Sequence, residues 1–230
     1  MRSRKLVIAI DGPAASGKST TARLVAERLK YLHVDTGAMY RAVALKVLRQ
    51  NIGMAEKERI EALMRETRVA LVLKNGSPRV VLDGEDVTDA IRTPEVSKAV
   101  SPVSAHHGVR EAMVREQRLL GADGGIVMDG RDIGTVVFPD ADLKFFMVAG
   151  AETRARRRQK ELAETGTVLP LDAVLQDIQE RDTRDAGRAE APLRRADDAI
   201  DVDTSTMTIE EQVRFVLGTV ARKMQETATP

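Results

Sequence analysis

The chain of 230 residues has no cysteine and no tryptophan, and aromatic residues make up only 3% of it. Without cysteine there is no disulfide framework, no thiolate metal site and no thiol nucleophile, which fits a reducing compartment. With so few rings the core has to be built from Val, Ile, Leu and Ala, and an apolar fraction of 43% is ample for that. An excess of one charge is also lacking: 36 Lys and Arg face 35 Asp and Glu, a formal net charge of +1. No global field therefore draws a nucleic-acid polymer or an anionic membrane. No apolar run reaches the length of a membrane span. Met1-Arg2-Ser3-Arg4-Lys5 leads directly into an apolar strand, too short a stretch to precede a signal h-region. Of the histidines, His106 and His107 are sequential and diverge, and His33 stands alone, so no histidine metal site is expected. The expectation is a cytoplasmic, monomeric protein of one large domain, or of one domain carrying an insert.

What is present is more pointed. Gly12-Pro13-Ala14-Ala15-Ser16-Gly17-Lys18-Ser19 has the spacing G-x-x-x-x-G-K-S, follows the apolar run Leu6-Val7-Ile8-Ala9-Ile10 and precedes a helix-forming stretch from Thr20. Strand, glycine-bounded loop and helix are the context of a phosphate-binding loop. Backbone N–H groups and the helix N-terminus converge on one anion, and Gly12 and Gly17 give the backbone conformations a Cβ would obstruct. Lys18 sets a cation on the β/γ-phosphates, and the Ser19 hydroxyl can ligate Mg²⁺. The motif predicts binding of a nucleoside triphosphate.

Strands and helices alternate along the chain. A short strand, Leu32-His33-Val34-Asp35, leads to a helix over 38–48 with Met39, Ala42, Val43 and Val47 on one face. A charged helix is expected within 55–68. Then the pattern changes: apolar runs at 69–73 and 80–82 around Asn75-Gly76-Ser77-Pro78 read as a hairpin, with a second turn at Asp83-Gly84-Glu85-Asp86. Local antiparallel strands mark an inserted subdomain, set at about 55–105. Pro94 and Pro102 read as breakers in a short polar stretch, 94–105. A helix follows at 109–120, strands at 125–129 and 143–148, helices at 151–164 and 172–184, a strand at 199–202, and a last helix from 209. Thr208 with Glu211 forms a capping box at its start, and 226–230 is expected to fray. Alternating β and α predicts an α/β fold, a parallel sheet flanked by helices, with ligands at the carboxyl ends of the strands.

At one such end stands Gly130-Arg131-Asp132. Arg131 can fork a substrate phosphate, and Asp132 can accept from an exocyclic amine. Asp129 is either a holder of Mg²⁺ through water or a plain strand terminus. Tyr40-Arg41 is either a phosphate or ribose clamp or a solvated Arg beside a half-buried Tyr. Arg154, Arg156, Arg157 and Arg158 open one helix, and Arg181, Arg184, Asp185 and Arg188 recur along the next. Two such helices joined by a 166–170 loop suit a lid over a triphosphate, set at about 151–190. Interleaved Glu161, Glu164, Glu180 and Asp182 make part of this a solvated face, so about half of these arginines are expected to act on substrate. The residues alone leave two other readings open. One is a kinase with a hydroxyl acceptor, using Asp129 or Asp35 as base; the other is a binding protein that uses the loop for regulation.

Four blocks together resemble bacterial cytidylate kinases: Ile10 to Thr20, Asp35-Thr36-Gly37-Ala38-Met39-Tyr40-Arg41, the block 129–141 and Arg181 to Arg188. The resemblance covers essentially the whole chain, and the block 129–141 is its most specific part. It implies ATP-dependent phosphorylation of CMP and dCMP on a five-stranded parallel core with an insert and a lid. It implies that Gly12, Pro13, Ala14, Ala15, Ser16, Gly17, Lys18, Ser19 and Thr20 hold ATP. Lys18, Arg131, Arg154, Arg157 and Arg158 would stabilise the transferring phosphoryl group. Thr36, Tyr40 and Arg41 would lie by the monophosphate, with Arg131 gripping it. Ser101, Arg110, Asp132 and Arg188 would read cytosine, and Arg181 and Asp185 the sugar. Some relatives have Ser where Thr36 stands, which keeps the hydroxyl and removes a methyl.

Overall fold

The apolar run after Lys5 forms strand β1 (Val7–Asp11), buried along its whole length. In this computed structural model, which describes residues 5–74, 77–164 and 166–228, β1 is followed by α1 (Lys18–Leu29), β2 (Leu32–Asp35), α2 (Thr36–Arg49) and α3 (Lys57–Arg65). Then come β3 (Val69–Lys74), β4 (Ser77–Leu82), β5 (Glu85–Asp86), α4 (Pro94–Val103) and α5 (His107–Leu120). The chain continues through β6 (Ile126–Gly130), a π-helical turn (Ile133–Val137), β7 (Leu143–Val148), α6 (Ala151–Glu164), α7 (Leu171–Ala186), β8 (Ile200–Asp203) and α8 (Ile209–Ala228). Two compact units result: the chain up to His33 together with everything from Asp123 onward, and Val34–Ala122.

The first unit is built on a five-stranded sheet in the order β2-β6-β1-β7-β8. β1 pairs in parallel with β6, Ile10 opposite Asp129, and with β7, Ile10 opposite Phe145. β7 pairs in parallel with β8. A central parallel strand is covered on both faces, which is why β1 reads as unbroken apolar sequence. Ile8, Ile10, Phe145 and Met147 of the sheet form one core with Ala22, Val25 and Ala26 of α1 and Val213, Val216 and Val220 of α8. The helical residues recur at three- and four-residue spacing, the pattern of a single buried stripe. The capping box at the start of α8 forms: the Glu211 carboxylate accepts from the Thr208 N–H at 2.8 Å, and the Glu211 N–H donates to Thr208 Oγ1 at 3.3 Å. Next to it, Gln212 is buried. Its Oε1 accepts from the Thr21 hydroxyl of α1 at 2.8 Å, and its Nε2 donates to the Met207 carbonyl at 3.1 Å.

In the second unit, Met39, Ala42, Val43 and Val47 line the buried face of α2. Its antiparallel sheet has the order β3-β4-β5. Asp83 at φ 50° and Gly84 at φ 90° supply the left-handed pair that turns β4 into β5. Of the other expected turn, Asn75 and Gly76 lie outside the described residues. This unit is wider than the 55–105 expected for an insert.

Two local expectations are corrected. The stretch 94–103 is helical: Pro94 occupies the first turn, where its missing N–H is not needed, and Thr93 caps the helix by accepting from the Val96 N–H at 3.3 Å. Pro102 falls in the last turn, where it costs the helix a single backbone hydrogen bond one residue before its end. α8 also stays helical through Ala228, past the start of the expected frayed tail at Glu226. Among the described residues, no helix is long and apolar enough to cross a membrane.

Phe145 is fully buried at the middle of β7. Phe145→Ala is expected to lower unfolding free energy by about 3–5 kcal/mol, read from urea denaturation; a loss below about 1 kcal/mol would show that this core does not govern stability.

Candidate active site

The loop from Gly12 to Gly17 sits at the carboxyl end of β1. Gly12 has φ +154°, and a Cβ there would lie 2.2 Å from the Met147 carbonyl oxygen of β7, so only glycine lets the loop pass. Gly17, at φ 92°, caps α1 with no side-chain acceptor, leaving the helix's positive end to the loop. Lys18 is only 7% exposed, and its ammonium folds back to donate to the Pro13 carbonyl at 3.2 Å. Ser16 Oγ is buried without a hydrogen-bond partner among the described residues. Backbone amides, a helix terminus and a curled-back lysine together make a cradle for phosphate.

Beside the loop, Ser19 Oγ donates to Asp129 Oδ2 at 2.5 Å, and His33 Nε2 lies 2.8 Å from Asp129 Oδ1. Among the described residues, no group of three or more His, Cys, Asp or Glu could hold a metal ion by itself. Mg²⁺ takes one or two hard protein oxygens and completes its shell with phosphates and water. Ser19 and, behind it, Asp129 carry oxygens of that kind.

Asp11 ends β1 with its carboxylate buried. It accepts from the Ile133 N–H at 2.8 Å and from the Gly134 N–H at 2.7 Å, which fixes the turn that carries Arg131 and Asp132. Burial pushes the Asp11 carboxyl up to about 7, against the pull of these two N–H groups and of Lys18, and with a further push from Asp132. Arg131 Nε donates to Asp185 Oδ2 at 2.8 Å, and Arg188 Nη2 donates to Asp185 Oδ1 at 2.5 Å. Burial alone would raise the Asp185 carboxyl, but Arg131, Arg188 and Arg181 hold it below its ordinary value. Three guanidinium groups around one buried carboxylate leave a surplus of positive charge suited to an anion.

The cytidylate kinase family model matches residues 8–222. A cytidylate kinase of Geobacter sulfurreducens is 48% identical over 227 residues, 99% of this chain and 97% of its own. One from Caldicellulosiruptor saccharolyticus is 50% identical over 93% of this chain and 95% of its own, and one from Bacillus subtilis is 44% identical over 96% and 98%. The chain belongs to the cytidylate kinase family. It is a phosphotransferase.

The residues that resemble the family's site divide between the two units. In the first unit, Arg131, Arg181, Asp185 and Arg188 come together, and Asp132 is buried at the start of the π-helical turn. Arg154 is also buried: it donates to both carboxylate oxygens of Asp182, at 3.1 and 2.7 Å, and to the Ala149 carbonyl at 2.9 Å. Arg157 donates to Thr204 Oγ1 at 3.1 Å and to its carbonyl at 2.5 Å, while Arg158 pairs with Glu161 at 3.2 Å. Together with a small core of Ala155, Val174 and Ile178, the Arg154–Asp182 pair holds α6 against α7. In the second unit, Asp35 caps α2 by accepting from the Ala38 N–H at 3.0 Å, and its other oxygen accepts from Arg41 at 3.1 Å. The Arg110 guanidinium lies 5.8 Å from the centre of the Tyr40 ring, a cation–π contact. Thr36 and Ser101 are buried on α2 and α4.

Sequence reasoning missed Asp11, His33 and Gln212. A charge that ends a fully apolar strand just before a phosphate loop was a usable signal for Asp11. His33 and Gln212 act on residues far away in the chain, and no local pattern announces such contacts.

The Asp11 carboxyl rises from its ordinary 3.8 to about 7, so the folded state holds this proton more tightly than the unfolded state. Its support for folding is complete below pH 3.8 and is lost as pH climbs through about 7. Relative to Asp11→Asn, the parent should lose stability across this window, on the order of a few kcal/mol. Urea denaturation at a series of pH values measures it, and parallel pH profiles would contradict it.

Proposed function

We propose that the chain performs its family's reaction as ATP + CMP → ADP + CDP, and likewise converts dCMP to dCDP, by in-line transfer at the carboxyl ends of β1 and β6. The acceptor is a phosphate monoester with a second pKa of about 6, ionised at neutral pH, so no general base is required. Catalysis then reduces to alignment and to stabilising charge on the moving phosphoryl group. The loop from Gly12 to Thr20 binds the triphosphate, with Lys18 on its terminal phosphates. Ser19, with Asp129 behind it, would hold Mg²⁺, whose charge would offset that of the phosphates.

Arg131 takes the acceptor phosphate, and Asp185 sets the direction of its guanidinium. Arg181 and Asp185 serve the sugar. Arg188, Asp132, Ser101 and Arg110 serve the base, and Thr36, Tyr40 and Arg41 the monophosphate. Arg154, Arg157 and Arg158 belong to the lid of α6 and α7, which excludes water as a competing acceptor. The protein works as a cytoplasmic monomer on free nucleotides, without a nucleic-acid polymer or membrane.

The observation that carries this reading is the guanidinium cluster around Asp185 in the same unit as the phosphate cradle. One site accepts a triphosphate and the other suits a second anion. Turnover of CMP, dCMP, UMP and AMP with ATP and Mg²⁺, followed by ADP release, tests it. CMP and dCMP should be preferred, and faster turnover of AMP would overturn the base assignments. Lys18→Ala and Arg131→Ala should each lower kcat by about tenfold to a thousandfold; a variant with unchanged kcat would lose its assigned role.

A further inference from the structure

His33 has no part in the reaction as set out above, yet it touches the cation site. It lies on β2, the edge strand next to β6, and its Nε2 is 2.8 Å from Asp129 Oδ1. The other oxygen of the same carboxylate accepts from the Ser19 hydroxyl at 2.5 Å. Asp129 is 1% exposed on its side chain, whereas His33 is 12% exposed.

We propose that His33 is a positioning residue for the cation site: it locks the Asp129 carboxylate so that Asp129 keeps the Ser19 hydroxyl turned for metal binding. A serine hydroxyl has one hydrogen and two lone pairs. When the hydrogen is committed to Asp129, the lone pairs are left for a cation. When it is not, the hydrogen competes for the same space. Rotation of the carboxylate about its Cβ–Cγ bond would release that hydrogen. The His33 contact at the other oxygen opposes that rotation.

A carboxylate is an acceptor, so the geometry also puts the proton of the His33–Asp129 contact on Nε2, which fixes how the ring is presented. A group hydrogen-bonded directly to a metal ligand alters metal affinity by about 10–100-fold when removed, and His33, one step further back behind Asp129, should act at the low end of that range. The ring is partly exposed at a sheet edge, so its loss perturbs the local contact and spares the core.

This inference rests on the assignment of Ser19 and Asp129 to the cation, and the test separates the two. The probe is Mn²⁺ titrated onto the full chain saturated with β,γ-methylene ATP and followed by electron paramagnetic resonance. His33→Phe, which keeps a ring and removes the donor, should weaken Mn²⁺ binding by several-fold, up to about tenfold. It should also raise the Mg²⁺ concentration needed for half-maximal turnover while leaving the KM for CMP within about twofold. His33→Gln, whose amide Nε2 can donate from a similar reach, should recover most of the affinity. Should the Phe variant fail to fold, His33→Leu against His33→Gln makes the same comparison. If Ser19→Ala weakens Mn²⁺ binding but His33→Phe does not, the positioning role is overturned and the cation assignment stands. Equal loss in the Phe and Gln variants with a lowered Tm would also overturn it, because the role would then be packing. If Ser19→Ala leaves Mn²⁺ binding unchanged, the cation assignment itself falls, and this inference with it.

Discussion

The parallel pairing of β1 with β6 on one side and β7 on the other is the constraint on which the first unit depends. Parallel neighbours end at the same edge of a sheet, so residues far apart in the chain finish side by side. The register that sets Ile10 against Asp129 brings the Ser19 hydroxyl to the Asp129 carboxylate. On the other side, the loop runs so close to the Met147 carbonyl that any side chain at Gly12 would collide with it. The phosphate cradle is thus walled by two strands, and its shape follows from backbone approach more than from side-chain chemistry.

Charge in this unit is arranged by burying carboxylates and giving each a specific set of donors. Asp11 has backbone N–H groups, Asp129 has a hydroxyl and an imidazole, and Asp185 has guanidinium groups. The three environments differ in consequence. Amide dipoles do not offset the desolvation of Asp11, and its carboxyl is pushed up. Full positive charges more than offset that of Asp185, and its carboxyl is held down. Asp185 in turn keeps like-charged arginines from repelling one another apart, which stores positive potential where an anion can use it.

Much of this is legible in the amino-acid sequence. The phosphate loop, the parallel core, the α2 face, the hairpin turn at Asp83-Gly84 and the capping box at Thr208 all follow from local rules with strong local signals. In the stretch 94–103 the reading of proline as a breaker fails, because position within a helix decides what proline does. The π-helical turn after Asp132 was not foreseen, since it depends on two hydrogen bonds to Asp11, more than a hundred residues earlier. Arg154 shows the same limit from the other side. Its place in an arginine run gives no sign that Asp182 and the Ala149 carbonyl are its partners.

Gln212 has a consequence for how the molecule is made. A Cβ at Gly17 would lie 2.9 Å from Gln212 Oε1, and that same oxygen takes the Thr21 hydroxyl. The floor beneath the first turn of α1 is therefore contributed by the last helix. On a ribosome, a nascent chain that has exposed only its amino-terminal segments has the glycine-rich motif but not its support. Nucleotide affinity should therefore require that α8 has emerged and docked.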